Sequence, residues 1–288
     1  MLRAFVHALF LLLLPAAAFA APETVYFRSA DGAVTVVGYL FHPAGPAPHP
    51  AVVMLHGRQG PYSINDNATC TFVGPGVASP CNANTLTKRH MMWGEFWSAR
   101  GYFALLPDSF GPRGKGHGFG RFTHNDPDRE SVNEETVRPL DAEGALAWLR
   151  SRRDVAPSHI FLQGWSNGGS TVLNTMIRQG SNPGFRAALA FYPGCGRLAL
   201  LDETVRTTTP ILLQMGEADE EVNPEFCAHV AQRSKAAGTP IEAIFYPGAS
   251  HDFDDPGDRR QDNPANAVAK AAAMAKAAAM IDGYARQP

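Results

Sequence analysis

Six near-continuous apolar runs are the main strand signal along the chain. Runs without polar alternation are typical of strands covered on both faces of a mostly parallel sheet. They span Ala51–Leu55, Tyr102–Leu106, His159–Leu162, Ala187–Tyr192, Ile211–Met215 and Ile241–Tyr246. Two further strand-like segments, Thr24–Ser29 and Ala33–Phe41, flank Asp31-Gly32. That dipeptide tolerates positive φ, so it predicts a hairpin.

Helical patterns separate most of these runs. They span Lys88–Arg100, Glu134–Arg152, Asn167–Gln179, Pro224–Ala237 and Ala265–Tyr284. Strands that alternate with helices in this way predict an α/β fold, with helices on both faces of the sheet. We therefore expect one α/β domain over residues 21–288.

The first residues have the pattern of a secretory signal peptide. Arg3 precedes an apolar run over Ala8–Leu14, and small residues follow as far as Ala20. This order predicts a signal peptide over residues 1–20 and an exported protein, periplasmic or secreted. No later apolar run reaches the roughly 20 residues of a spanning helix, so we expect no membrane span in the mature chain.

Composition narrows the classes of partner. The formal net charge is -2, with 45% hydrophobic and 18% charged residues. A globular protein of this charge has no overall field that would recruit nucleic acid. The expected partner is therefore a small molecule, and no nucleic acid.

The four cysteines all follow the predicted signal peptide, and an exported protein meets oxidising conditions in which thiols pair. Cys70 with Cys81 would staple a loop rich in Gly, Pro and Asn. Cys195 with Cys227 would join two points that both follow predicted strand ends. Metal binding is the alternative, but no Cys-x-x-Cys or paired Cys/His spacing supports it, so we expect no metal.

Gly164-Trp165-Ser166-Asn167-Gly168 lies between an apolar run and a helical pattern. This is the context of a nucleophile elbow, in which a serine sits on a strained turn between a strand and a helix. The pattern predicts that Ser166 is a nucleophile. The alternative is a glycine-rich turn that serves packing alone.

A serine nucleophile needs a histidine base and a third group that orients it. In this fold class the acid and then the histidine follow the serine along the chain. His251 follows a strand and a turn, whereas His229 lies within a helical pattern, so His251 is the predicted base. Asp219 is the predicted acid, because it leaves the strand ILLQM through Gly216 and a short loop.

We expect other roles for the carboxylates near these two residues. Glu217, Glu220 and Glu221 are expected to face water. Asp252 and Asp254 are expected to form turns or helix caps.

The tetrahedral oxyanion needs two backbone donors. We expect them from the N–H of Asn167, which follows the nucleophile, and the N–H of Arg58, in the His56-Gly57-Arg58 loop after a strand. His56 itself is expected to fix that loop.

Two long loops follow strand ends and are expected near the site. Residues 58–87 read as a rim loop, and residues 110–122 form a basic, glycine-rich loop. Arg113 or Arg121 could pair with a substrate carboxylate, and Trp165 could line a pocket. The alternative for the basic loop is a solvated segment balanced by nearby carboxylates.

Several segments together resemble the dienelactone hydrolase family of α/β-hydrolases. They are LHGRQG, KRHMMWGEFWSARGYFALLPDSFGPRG, RPLDAEGALAWLR, GWSNGG, GEADEEV and YPGASHDFD. The resemblance implies an eight-stranded sheet, no cofactor, and hydrolysis of small esters or lactones. It also supports the roles assigned to Ser166, Asp219 and His251.

Two differences from dienelactone hydrolase itself bear on the substrate. That enzyme has a cysteine nucleophile and a glutamate in the first active-site loop, whereas this chain has Ser166 and Gly57. The sequence therefore favours a general exported esterase. A peptidase on the same fold and a noncatalytic binding protein are the alternatives.

Overall fold

The computed structural model describes residues 21–123, 125–201 and 203–287, and the predicted signal peptide lies outside them. Eight strands form one sheet in the order β1-β2-β4-β3-β5-β6-β7-β8. The strands are β1 (Glu23–Arg28), β2 (Thr35–Phe41), β3 (His49–Leu55), β4 (Phe103–Asp108), β5 (Val155–Trp165), β6 (Ala188–Phe191), β7 (Ile211–Gly216) and β8 (Ile241–Tyr246).

The helices connect successive strands or close the chain. They are α1 (Ile64–Asn67), α2 (Lys88–Ala99), α3 (Arg138–Arg150), α4 (Asn167–Gln179), α5 (Pro224–Ala236), α6 (Asp258–Gln261) and α7 (Pro264–Ala285). Every residue of β4, β6 and β7 is buried. Because successive side chains of a strand point to opposite faces, both faces of the sheet are covered.

Strand direction decides where the site lies. β1 pairs antiparallel with β2, and β2 pairs antiparallel with β4. The remaining pairs are all parallel. The carboxyl ends of β3, β5, β7 and β8 therefore meet at one edge of the sheet, where ligands of open α/β sheets bind.

The predicted eight-stranded, mostly parallel α/β fold is confirmed. The Asp31-Gly32 turn does join β1 to β2, and Gly32 has a φ of 70°. The largest difference in bounds is at β5, which begins at Val155 rather than at His159, because His49 at the start of β3 pairs with Val155.

Both expected disulfides are present. Cys70 bonds to Cys81, and Cys195 bonds to Cys227. Cys227 lies in the first turn of α5 rather than directly after a strand, so its bridge joins the end of β6 to a helix. Within the described residues, no helix has the length and apolar character that a membrane crossing requires.

Candidate active site

Ser166 occupies the sharp turn between β5 and α4. Its φ is 53°, in the left-handed region, and its N–H donates to the Phe191 carbonyl at 2.9 Å. The flanking glycines make this turn sterically possible. A Cβ on Gly168 would lie 2.1 Å from the Leu55 oxygen, and one on Gly164 would lie 2.3 Å from the Gly168 oxygen. The G-x-S-x-G pattern therefore has a packing cause at each glycine, as a nucleophile elbow requires.

The structure brings Ser166, His251 and Asp219 into one hydrogen-bonded chain. The Ser166 Oγ lies 3.0 Å from His251 Nε2, and His251 Nδ1 lies 2.8 Å from Asp219 Oδ2. The other Asp219 oxygen, Oδ1, accepts the N–H groups of Glu221 and Val222 at 2.9 and 3.0 Å. These two bonds fix the carboxylate that faces the imidazole.

The loops after β7 and β8 are joined by backbone contacts. The Ala218 N–H donates to the Ala249 carbonyl at 2.9 Å, and a Cβ on Gly216 would lie 2.3 Å from the same oxygen. The His251 N–H donates to a carboxylate oxygen of Glu220 at 2.9 Å. Because no side chain separates the loops at Gly216, Asp219 and His251 lie close enough to form a hydrogen bond.

The expectation that Glu221 faces water was wrong. Glu220 is exposed, as expected, although its carboxylate also accepts the His251 N–H. Glu221 is nearly buried, and its carboxylate bonds to the guanidinium of Arg58 at 3.0 Å and of Arg121 at 2.7 Å. The sequence could not indicate this burial, because it depends on tertiary contacts with two arginines from other loops over the site. Glu217 is exposed, as expected.

Charge around His251 changes its basicity. Burial alone lowers the pKa of His251, but the charge of Asp252, the hydrogen bond and charge of Asp219 and the charge of Glu221 outweigh burial. The pKa therefore lies above its ordinary value of 6.5. Raising the pKa makes the imidazole a stronger proton acceptor, and it stabilises the imidazolium once formed.

Two cavities meet at Ser166. The larger measures about 410 Å³ and also contacts His251. The smaller measures about 30 Å³ and is lined by Ser166 together with Arg58 and Asn167. The two residues that are expected to supply oxyanion donors therefore share a cavity wall with Ser166.

The structure separates the three suggested substrate contacts. Arg121 lines both cavities. Arg113 does not, because its guanidinium bonds both oxygens of the buried Asp141, at 2.8 and 2.9 Å. Trp165 is fully buried, and its indole N–H donates to Asp254 at 2.8 Å. The suggestions for Arg113 and Trp165 are therefore corrected, since tertiary contacts hold both side chains away from the cavities.

Asp254 has a larger role than the turn or cap that its position indicated. Its buried carboxylate accepts the indole N–H of Trp93 at 2.7 Å, the indole N–H of Trp165 and the hydroxyl of Tyr192. It thereby ties the histidine loop to α2, to the residue before Ser166 and to the end of β6. The sequence held no signal for this cluster, because its members are far apart along the chain.

A second buried group, Arg138, contacts both segments that are expected to supply the oxyanion donors. The Arg138 guanidinium donates to the side-chain oxygen of Asn167 and, at 2.7 Å, to the carbonyl of His56. It therefore links the loop after β3 to the start of α4. His56 accepts the Ser109 N–H at 3.2 Å, which matches the expected structural role of that histidine.

Glu221, His251 and Asp252 offer possible metal-ligand atoms within 4.8 Å of one another. Arginines already pair with both carboxylates, as Arg58 and Arg121 do with Glu221 and Arg89 does with Asp252. A cation here would have to compete with these arginines. The donor set therefore gives no support for a resident metal.

The strand order and the strained serine after β5 place the protein among the α/β-hydrolases. A model of the dienelactone hydrolase family matches residues 88–284. The chain therefore belongs to the dienelactone hydrolase family.

Solved structures of known proteins show the same fold. A putative dienelactone hydrolase from Klebsiella pneumoniae has a TM-score of 0.66 at 17% identity, covering 92% of this chain and 100% of that one. Esterase Est2 from Thermogutta terrifontis has a TM-score of 0.58 at 20% identity, covering 91% and 95%. A putative dipeptidyl aminopeptidase IV from Bacteroides ovatus has a TM-score of 0.57 at 17% identity. The match covers 84% of this chain but 34% of that one.

Proposed function

We propose that the protein is a serine hydrolase that cleaves a small carboxylic ester or lactone, with Ser166 as nucleophile, His251 as base and Asp219 as orienting acid. The observation that carries this proposal is the chain of hydrogen bonds at the sheet edge. The Ser166 Oγ lies 3.0 Å from His251 Nε2, and Asp219 lies 2.8 Å from His251 Nδ1. A base oriented by a third group is what a serine hydroxyl needs to attack a carbonyl.

The reaction follows from this geometry in two transfers. His251 Nε2 takes the Ser166 proton as Oγ bonds to the carbonyl carbon, and it then gives that proton to the departing alkoxide as the C–O bond breaks. Water next attacks the acyl-enzyme and gives its proton to His251. That proton returns to Ser166 Oγ as the carboxylic acid leaves.

The negative charge that develops on the carbonyl oxygen needs preorganised donors. We assign them to the N–H groups of Arg58 and Asn167. The shared lining of the small cavity by these residues and Ser166 supports the assignment. Arg138 reinforces it by linking the Asn167 side chain to the His56 carbonyl.

Arg121 is the substrate contact that the geometry supports among those suggested. It lines both cavities, and its side chain is partly exposed. Its guanidinium already pairs with Glu221 at 2.7 Å, so a substrate carboxylate would share or displace that pair.

The test is hydrolysis of nitrophenyl esters by the mature protein and by Ser166→Ala and His251→Ala. Loss of either group should lower kcat by roughly 10⁴-fold or more, because the nucleophile and base act as one unit. Matched controls are Ser158→Ala and His229→Ala, which replace exposed residues of the same types. Both controls should keep parental rates.

The same proteins separate the alternatives. A phosphonate that traps reactive serines should label the parent and not Ser166→Ala, whereas a noncatalytic binding protein would not be labelled in either form. Cleavage of peptides at rates comparable to esters would instead favour the peptidase. In the putative dipeptidyl aminopeptidase IV the match covers 34% of the chain, so about two thirds of that chain lies outside the part that resembles this protein.

We also propose that the protein is exported. The signal-like segment before Ala20 and the two disulfides support this location. Fractionation of cells should recover a chain that begins after Ala20 outside the cytoplasm. Recovery of the full-length chain in the cytoplasm with free thiols would contradict it.

A further inference from the structure

The two cavities at Ser166 differ in more than size. The larger, of about 410 Å³, is lined by the histidine loop and by residues that follow β3. The smaller, of about 30 Å³, is lined by Ser170 and Val222 among others, and His251 does not contribute to it. This asymmetry bears on which half of an ester each cavity receives, and the reasoning rests on the proposed function.

The position of the histidine fixes the direction of the ester. The leaving alkoxide must take its proton from His251 Nε2, so the alcohol half has to lie on the side of the imidazole. That side is the larger cavity, where His251 and Asp252 form part of the wall. The acyl half then extends from the carbonyl carbon into the smaller cavity, beyond Asn167.

Three side chains pack together in the wall of the smaller cavity. They converge on Gly194, whose Cβ, if it had one, would lie 2.8 Å from Ala199 Cβ, 3.4 Å from Ser170 Oγ and 3.8 Å from Val222 Cγ1. Two buried charged residues, Arg129 and Glu134, form another part of the wall. An alkyl chain that grew past this point would meet packed atoms or charged groups.

We infer that the protein is selective for short acyl groups, of acetyl or propionyl size, carried on a larger polar alcohol. A water molecule needs about 10–15 Å³ of cavity volume, so a cavity of about 30 Å³ holds roughly two groups of that size. The larger cavity takes a bulkier group and presents charge on most sides. Its charged lining includes Lys88, Arg259 and Arg260, together with Glu221, Asp252 and Asp255.

The first experiment varies the acyl chain on one alcohol. The rate of hydrolysis of nitrophenyl acetate, propionate, butyrate and hexanoate is measured for the parent, for Val222→Ala and for the control Val34→Ala. Val34 is a partly buried valine in the β1–β2 hairpin. We expect kcat/KM of the parent to fall about tenfold or more from propionate to butyrate. Val222→Ala should raise the butyrate-to-acetate ratio about tenfold, and Val34→Ala should leave it unchanged.

A second substitution guards against a folding artefact. Val222→Leu adds one methylene and should lower kcat/KM for propionate relative to kcat/KM for acetate. This change is in the opposite direction to the one expected for Val222→Ala. A parent that hydrolyses hexanoate as fast as acetate, or substitutions that leave the ratios unchanged, would overturn the inference. Activity without chain selectivity leaves the proposed function standing, whereas absence of any Ser166-dependent hydrolysis removes both.

The second experiment tests the direction with a pair of isomers. Pentyl acetate and methyl hexanoate have the same formula but place the long chain on opposite sides of the ester. The inferred orientation predicts that pentyl acetate is hydrolysed at least tenfold faster. Equal rates, or faster cleavage of methyl hexanoate, would show that the acyl group does not occupy the smaller cavity.

Discussion

At the scale of single residues, the environment of His251 is unusual in its number of carboxylates. Asp219 bonds Nδ1, Glu221 lies 3.9 Å from Nε2, and Asp252 is the next residue along the chain. Arg89 lies 2.8 Å from Asp252 and is a main reason why the pKa of that buried carboxyl stays below its ordinary value despite burial. Asp252 is therefore an anion whenever His251 titrates.

This arrangement predicts a pH dependence. His251 accepts a proton only when neutral, and its pKa lies above 6.5, so kcat/KM should fall on acidification through a pKa above 6.5. Asp252→Asn removes the leading charge that raises this pKa and should therefore move the acidic limb of the pH–rate profile to lower pH. Asparagine tolerates the φ of 57° at this position. The pH–rate profile of both proteins is the measurement.

Asp255→Asn is the matched control. Asp255 also pairs with Arg89, at 3.1 Å, but it is not among the main groups that raise the pKa of His251. The acidic limb of the pH–rate profile of Asp255→Asn should coincide with that of the parent. Equal shifts in the two variants would mean that Arg89, rather than the charge of Asp252, controls the histidine.

At the scale of elements, the turn between β5 and α4 is the tightest contact in the site. Gly168→Ala should lower the free energy of unfolding by about 4 kcal/mol or prevent folding, since its Cβ would lie 2.1 Å from the Leu55 oxygen. Gly283→Ala in α7 should raise it by about 0.5–1 kcal/mol, because no atom lies within 4 Å of that Cβ and alanine favours helix. Urea unfolding measures both, and a tolerated Gly168→Ala would contradict the packing argument.

The bounds of helices and strands could be predicted where local sequence patterns determine them. The bounds of α4 and β8 coincide with the apolar and helical patterns, and the glycines around Ser166 point directly to a strained turn. The roles of Glu221 and Asp254 were not predictable. Arg58 and Glu221 are separated by 163 positions, so only the folded sheet shows that their charges meet.

At the scale of the whole molecule, the two disulfides stabilise regions beside the site. Cys195–Cys227 spans 32 positions and Cys70–Cys81 spans 11. In the chain-entropy account a longer closed loop stabilises more, so Cys195→Ser/Cys227→Ser should lower the free energy of unfolding by about 1 kcal/mol more than Cys70→Ser/Cys81→Ser. Urea unfolding of both double variants tests this, and the reverse order would point to native-state contacts instead.

The strand order has a consequence for the chain during its synthesis. The proposed nucleophile, Ser166, follows the central strand β5, whereas the proposed acid and base follow β7 and β8, the last two strands along the chain and the last two in the sheet. A nascent chain can build the elbow and still lack a proton acceptor for it. Under the proposed function, a ribosome-bound chain that ends before β8 should therefore have no esterase activity, because Ser166 would still lack its base.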